Sequence, residues 1–475
     1  MARSLPRIFG RNRPIRSARA KLGAVTMPLR AIVIDVAPDP VAIAQRFEAR
    51  AGFAFLHAAS DGESGHRSIV AFDPVQSSIS WLPPIDAPAP ADRRLDTRGD
   101  VPRWIGAIPY ECARSLERAA WTRTPDDRPA PHLAQPIWQR YAAVVEIDVA
   151  RGFVRVVGDD ETHVACLAHE LRARPALRCA RAAARLDRLV SDDAPSAHIE
   201  RIRQAMDLIG AGDLYQVNLA RQLRFAAEGR PLDFYLAMSE SAPAAFGACI
   251  DWGGLAVCAT SPELFLAIDP GTGRVATAPI KGTRPRGRDA ATDAELRRAL
   301  DESAKEQAEL TMILDVERND LGKVCVPGSV RLTTPPRVET HATVHHRAAV
   351  VGGVLRPGTT PLQALRAMFP SGSVTGAPKV RAMEVIARLE PARRGLYTGA
   401  FGYVAWSGSI RLAMAIRVMT LKNGEAHYFA GGGIVADSDP EAELAETGWK
   451  GTQVERLVGT STSTARARQS ALEGR

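Results

Sequence analysis

Segments that read as strands and segments that read as helices come in blocks along these 475 residues, not in strict alternation. A doubly wound parallel sheet needs a helix after nearly every strand, so the block order points to an α+β layered fold. Residues 28–180 hold short β-like runs separated by Pro-rich loops: Arg30–Val36, Ser68–Phe72 and Ala142–Ile147. The stretch Leu82–Pro102, rich in Pro, Asp and Arg, reads as a surface loop, and Ser191–Ser196 as a second connection. Beyond it Ile199, Ile202, Met206 and Ile209 recur at helical spacing, and Gly210 and Gly212 close the helix. Residues 398–430 read as an antiparallel meander with turns at Ser407-Gly408 and Asn423-Gly424. The expected organisation is a basic, disordered extension over 1–27, an N-terminal subdomain over 28–190, a catalytic domain over 196–460 and a flexible tail over 461–475.

Composition narrows the class. With 45% hydrophobic and 24% charged residues the chain can bury a substantial core. The formal charge of +8 is misleading, because residues 1–30 hold seven Arg, one Lys and no acid. The remaining 53 basic residues balance 53 acidic ones, so the folded body is not built for nucleic acid. Met1 to Val25 resembles a targeting peptide in being Arg-rich and acid-free, without the apolar core of a secretory signal. Met27 follows directly, and a start codon placed too far upstream explains the segment at least as well. No run of 18 apolar residues exists, so no membrane span is expected. The six cysteines form no C-x-x-C pair and read as buried thiols of a cytoplasmic protein.

Arginine outnumbers lysine 54 to 7, and five of the lysines (Lys281, Lys305, Lys323, Lys379, Lys450) fall between 279 and 450. Arginine keeps its proton at any working pH, whereas a lysine can lose it and act as a nucleophile. Lysines kept beside Gly, Thr and Glu motifs, Lys281 and Lys450, therefore point to chemistry. Glu306 and Glu309 lie three apart in a helical segment, Asp293–Leu314, and share a face. Glu443 and Glu446 repeat that spacing, with Lys450 a turn further on. Four carboxylates on two helices suit a hard cation such as Mg²⁺, though solvated helix faces give the same spacing. The run Gly431-Gly432-Gly433 offers bare N–H groups to an anion, or is a plain turn. On a strand Arg411–Met419, residues Arg411, Ala413, Ala415 and Arg417 share one face, leaving room for a carboxylate ligand or forming a solvated edge. These pieces describe a pocket for a small, carboxylate-bearing, Mg²⁺-bound substrate.

Eight ordered blocks between about 196 and 455 carry a resemblance. They are Gly212–Leu219, Ser261–Phe265, Pro279–Gly287, Lys305–Glu309, Asp315–Gly322, Ser373–Lys379, Arg394–Tyr397 and Asp437–Thr447. Arg67–Pro74 and Trp104–Glu111 add a weaker match in the N-terminal half. In these blocks the chain resembles the chorismate-utilising enzymes, which include anthranilate synthase component I, aminodeoxychorismate synthase component I, isochorismate synthase and salicylate synthase. The resemblance implies a layered α/β/β/α sandwich of two mostly antiparallel sheets with helices outside. Water-using members carry a lysine base where Gln216 stands, so the chain resembles the ammonia-using ones. Among those the anthranilate branch usually has alanine at the place of Lys281. The lysine form resembles the aminodeoxychorismate-forming branch, in which this side chain is the proposed nucleophile.

The resemblance also implies roles. Glu263 matches the general acid, and Glu309 and Glu446 match direct Mg²⁺ ligands with Glu306 and Glu443 behind them. Tyr397, Arg417, the Gly431–Gly433 backbone and Lys450 would hold the substrate carboxylates. Gln216, Thr283 and His346 would line the rest of the chorismate site, His346 near the ring hydroxyl. A free lysine, with a pKa of about 10.4, is neutral in only roughly 0.04% of molecules at pH 7. Desolvation and neighbouring positive charge must therefore favour the amine. The family's serine just after His346 is Ala349 here, and no Gly-x-Cys-x-Gly turn for glutamine hydrolysis is present. Ammonia is thus expected from a separate glutaminase subunit. Two other readings stay open: anthranilate synthesis, and a catalytically silent subunit that senses chorismate or tryptophan. The N-terminal half assigns no tryptophan pocket.

Overall fold

Alternation within single strands shows where the apolar layers lie. In Pro102–Ile108, Trp104 and Ile108 enter one buried cluster while Ile105 and Ala107 enter another. In Ala143–Asp148, Val144 faces that second cluster and Val145 and Ile147 a third. Period-2 alternation with both faces buried requires a layer on each side of every sheet. The computed structural model describes residues 29–59, 67–85, 100–116, 126–173, 178–179, 184–188, 194–341 and 344–458. Among these are a twelve-stranded and a ten-stranded sheet.

The cluster between the sheets joins Ile105, Ala107 and Phe401 of the smaller sheet to Ile250, Ala259 and Phe429 of the larger. Outside the larger sheet, Phe55, Val70 and Val145 pack on Ile43 and Phe47 of helix Pro40–Phe47 and on Phe234 of helix Pro231–Ser241. Outside the smaller sheet, Phe265 and Leu412 pack with Leu310 and Leu314 of helix Ala304–Gly322 and with Met383 and Ile386 of helix Lys379–Leu389. This is the α/β/β/α sandwich that the resemblance implies. Both sheets draw strands from either side of residue 190.

The expected helix after residue 195 runs Pro195–Gly210, with Gly212 at a φ of +81°. Both expected hairpin turns form, with Gly408 at +81° and Asn423 and Gly424 at +51° and +76°. The two hairpins do not make one meander, however. Ala400–Ala405 and Ile410–Met414 pair in the smaller sheet, whereas Val418–Lys422 and Glu425–Ile434 pair in the larger. The chain therefore crosses between sheets at Ala415–Arg417, and the expected continuous strand Arg411–Met419 ends at Met414. It crosses again at Pro262–Glu263, between Leu255–Ser261 and Leu264–Asp269. The two crossovers run side by side: Met414 N–H donates to Glu263 O at 3.0 Å and Thr260 N–H to Arg417 O at 3.0 Å.

Two further expectations are corrected. The segment Asp293–Leu314 is two helices, Ala290–Glu302 and Ala304–Gly322, because Ser303 turns extended and caps the second through Glu306 N–H. Cys249, Cys258 and Cys325 are buried thiols, but Cys166 and Cys179 are exposed, Cys166 on the outer face of helix Glu161–Ala173. The extension over 1–27, the tail from 461 and the stretch 86–99 lie outside the described residues. No described helix is long and apolar enough to cross a membrane.

Candidate active site

Many of the sequence-derived residues come together around the paired crossovers. Glu263, on the first crossover, is 4% exposed and accepts a hydrogen bond from Ser373 Oγ at 2.7 Å. Burial pushes its carboxyl up to about 7, against the Ser373 hydrogen bond and the nearby Lys281, with Glu317 adding to the rise. A carboxyl poised there can donate a proton at neutral pH.

Lys281 lies on the smaller sheet's edge strand, Ile280–Pro285. The strand bulges at Gly282, whose φ is +81° and where a Cβ would come 2.7 Å from Leu300 Cδ1 and 2.9 Å from Glu306 Oε2. Past the bulge Thr283 Oγ1 lies 2.9 Å from His346 Nδ1. Thr283 is otherwise exposed, while His346 is 3% exposed, and burial holds its imidazole well below the usual range and therefore neutral.

The glycine run is strand, not turn. Gly431, Gly432 and Gly433 pair with Ala220, Leu219 and Asn218, and the strand's other ladder stops at Tyr428. Each glycine lies close against a neighbour. A Cβ on Gly431 would come 2.7 Å from the Tyr397 hydroxyl, one on Gly432 2.9 Å from Glu443 Oε2, and one on Gly433 2.2 Å from Gln216 Nε2. The Gly433 position is also 3.7 Å from Lys281 Nζ, so Gln216 and Lys281 meet over bare backbone. Gln216 Oε1 and Asn218 Oδ1 are buried there without a partner. Tyr397 stacks on Phe429 at 5.3 Å, and Arg394 lies over its ring at 5.5 Å while bound to Glu390, Val374 O, Thr398 and Asn218 O.

The two carboxylate pairs do converge. Lys305 Nζ lies 4.0 Å from Glu309 Oε1 and 3.7 Å from Glu443 Oε1, bridging the two helices. Burial pushes the Glu309 carboxyl up, with Glu306 and Glu443 adding to it and Lys281 and Lys305 opposing. Glu443 is raised by burial and by Glu446, despite a 2.8 Å hydrogen bond from Ser438. For Glu446 the burial effect is outweighed by Lys450, 2.7 Å away, and its carboxyl is lowered. Lys450 Nζ also donates to Gly431 O at 2.7 Å. Their oxygens are the hard donors Mg²⁺ takes, but Lys305 and Lys450 pair with them here and, among the described residues, no three of the four close on a common point. A second cluster fits no ion. His132, Glu425 and His427 are close, but the two imidazoles stack at 3.6 Å and 16°, so their in-plane lone pairs cannot converge.

Arg417 does not share a strand face with Arg411, which pairs instead with Asp100 at 3.1 Å. It sits on the second crossover at a φ of +49°, a conformation costing an L-residue on the order of 1 kcal/mol. Burial pushes its guanidinium down from its ordinary value, and among the described residues neither Arg417 nor Lys281 donates to a protein acceptor. Two cations without protein partners, beside a neutral imidazole and a protonatable carboxyl, are suited to an anionic ligand that gives up a leaving group. Sequence reasoning passed over Ser371, Ser373 and Glu317. Ser373 and Glu317 lie inside the blocks that carry the resemblance, and only the fold brings them to Glu263.

The chain is similar to known proteins in both sequence and fold. The family model described as chorismate binding enzyme matches residues 57–455. Anthranilate synthase component 1 of Thermus thermophilus is 37% identical over 363 residues, covering 74% of this chain and 77% of that protein. The aminodeoxychorismate synthase of Streptomyces griseus is 36% identical over 377 residues, 75% of this chain but only 50% of that protein. The crystal structure of anthranilate synthase component I from Streptococcus pneumoniae superposes with a TM-score of 0.69 at 28% identity, over 82% of this chain and 92% of that one. From the sandwich and these matches together, this chain belongs to the chorismate binding enzyme family.

Proposed function

We propose that the chain is the chorismate-aminating component of an aminodeoxychorismate synthase, converting chorismate and ammonia to 4-amino-4-deoxychorismate. The observation that carries this reading is Lys281, free of any protein acceptor among the described residues, with Gln216 beside it and Glu263 nearby. Glutamine cannot take a proton from water, whereas a lysine amine can attack carbon. Lys281 attacks C2 of chorismate while Glu263 protonates the departing C4 hydroxyl. Ammonia then enters at C4 and expels the lysine, and its surplus proton balances the one that left with water. Arg417, Tyr397, Lys450 and the Gly431–Gly433 backbone anchor the carboxylates, and His346 with Thr283 faces the ring. Glu309 and Glu446, with Glu306 and Glu443 behind them, would hold Mg²⁺, which when bound neutralises substrate charge and favours the amine form of Lys281.

Ammonia is supplied by a separate glutaminase subunit in the cytoplasm, and the product belongs to 4-aminobenzoate and folate synthesis. Anthranilate synthesis is the second reading, supported by the Thermus relative at 37% identity. Purified protein with Mg²⁺, chorismate and ammonium salt tests the choice by chromatography. A 4-amino-4-deoxychorismate product supports the proposal. Anthranilate assigns the second reading, and binding of chorismate without any product assigns a sensing subunit.

A further inference from the structure

Behind Glu263 a second buried carboxyl closes a hydrogen-bonded line. Ser373 Oγ lies 2.7 Å from Glu263 Oε1 and 3.0 Å from Ser371 Oγ, and Ser371 Oγ lies 2.6 Å from Glu317 Oε1. All four residues are buried, Glu317 completely. These are three contacts between oxygens, yet the two serines bring only two hydroxyl hydrogens. The third must sit on a carboxyl. Main-chain donors do not change the count, because Ser373 N–H and Gly372 N–H donate onto Ser371 Oγ and Glu317 Oε1, which are already in the line.

The arrangement has two equivalent states. In one, Glu263 is protonated and each hydrogen points toward an ionised Glu317. In the other, Glu317 is protonated and each points toward an ionised Glu263. A shift of three hydrogens, each from one oxygen to the next, converts one into the other with no change in total charge.

We propose that Glu263 and Glu317 hold a single shared proton through Ser373 and Ser371, and that Glu317 is a positioning residue that keeps Glu263 supplied with it. The inference rests on Glu263 being the site's acid. When Glu317 holds the proton the line shifts it to Glu263, which gives it to the departing hydroxyl and leaves both carboxyls ionised. The proton shed when ammonia becomes a bound amine refills the line, so a turnover is proton-neutral. Burial pushes both carboxyls up to about 7, consistent with a pair that keeps one proton near neutral pH. Lys281 and Glu317 act on Glu263, and Lys379 and Asp320 act on Glu317. Asp320 is itself bound by Lys379 and, at 2.8 Å, by Lys323. The alternative is a purely structural carboxyl.

The test is the pH profile of kcat in the full chain with Mg²⁺, chorismate and saturating ammonia. Replacing Glu317 by Gln keeps a polar partner for Ser371 but cannot release a proton, and Ser371→Ala cuts the line while leaving both carboxyls. In Glu317→Gln the partner anion no longer raises Glu263's hold on its proton, and in Ser371→Ala the proton is no longer shared through the line, so both variants should move the alkaline limb of kcat to lower pH by about one unit. Turnover above that limb falls roughly tenfold, and KM for chorismate stays within about twofold. A structural role would lower thermal stability without moving the limb, and an unmoved limb in folded Ser371→Ala overturns the proposal even if Glu317→Gln fails to fold. Glu263→Gln separates this outcome from the parent reading. If it retains full turnover, Glu263 is not the acid. If it is inactive while the other two variants keep the wild-type limb, only the shared proton is refuted.

Discussion

Replacing Gly433 by Ala is the sharpest test of how the site is assembled. The backbone at this position is an ordinary strand, so the substitution is strained by its neighbours and not by its φ. The new Cβ would stand 2.2 Å from Gln216 Nε2, where ordinary contact begins at 3.4 Å. Leu219 and Asn218 fix the strand from one side through the ladder, so the amide must give way. Gln216 Oε1 has no partner holding it, and Lys281 Nζ is 3.7 Å from the same point, so the amide retreats toward the place proposed for the substrate. Overpacking of this kind costs about 1–3 kcal/mol. At about 1.4 kcal/mol per tenfold, chorismate should bind roughly fivefold to a hundredfold more weakly. Titration calorimetry with chorismate and Mg²⁺ measures this. The pair Gly433→Ala with Gln216→Ala removes the clash, so the double variant should bind as Gln216→Ala does alone. Wild-type affinity in Gly433→Ala, or no recovery in the double variant, would refute the geometry.

Other outcomes follow from the same contacts. Replacing Arg394 by Met strands the Glu390 carboxylate in a pair whose side chains are 1% and 2% exposed, so urea unfolding should show a loss of about 3–5 kcal/mol. Glu263 has a folded pKa near 7 against an ordinary 4.5, so it favours the native state below about 4.5 and loses that contribution as pH rises through about 7. Melts of Glu263→Gln should therefore gain on wild type from pH 5 to pH 8 (about that span), and a gap that shrinks with pH would contradict the burial argument. Chelating Mg²⁺ should abolish turnover, and Glu309→Gln should raise the Mg²⁺ concentration needed for half-maximal rate tenfold or more, by about 1.4 kcal/mol. An unchanged requirement in that variant would remove Glu309 from the metal site.

The layered class was legible from block order, because strands that are not each followed by a helix cannot form a doubly wound sheet. The carboxylate pairs were legible from spacing alone, since Glu306/Glu309 and Glu443/Glu446 each share a helix face and the fold had only to bring the helices together. Arg417 was misread for a physical reason. Alternation predicts a face only while a strand stays in one sheet, and here the chain leaves the smaller sheet at Met414, so the register to Arg411 is lost. Ser303 likewise hides in a helical pattern, though a serine three residues before Glu306 is itself a capping signal. The Glu263–Ser373–Ser371–Glu317 line was out of reach of any periodicity. Its members lie as much as 110 positions apart, and what unites them is burial against one crossover.

The central claim concerns the fate of the side chain that chorismate carries as enolpyruvate. Aminating C4 leaves it in place, whereas forming anthranilate expels it. Pyruvate released per chorismate consumed, with ammonium salt and Mg²⁺ and no second enzyme added, therefore tests the account most directly. The account predicts consumption of chorismate with no pyruvate. Pyruvate released in step with chorismate loss would contradict it and turn Lys281 into a binding residue of an anthranilate-forming site.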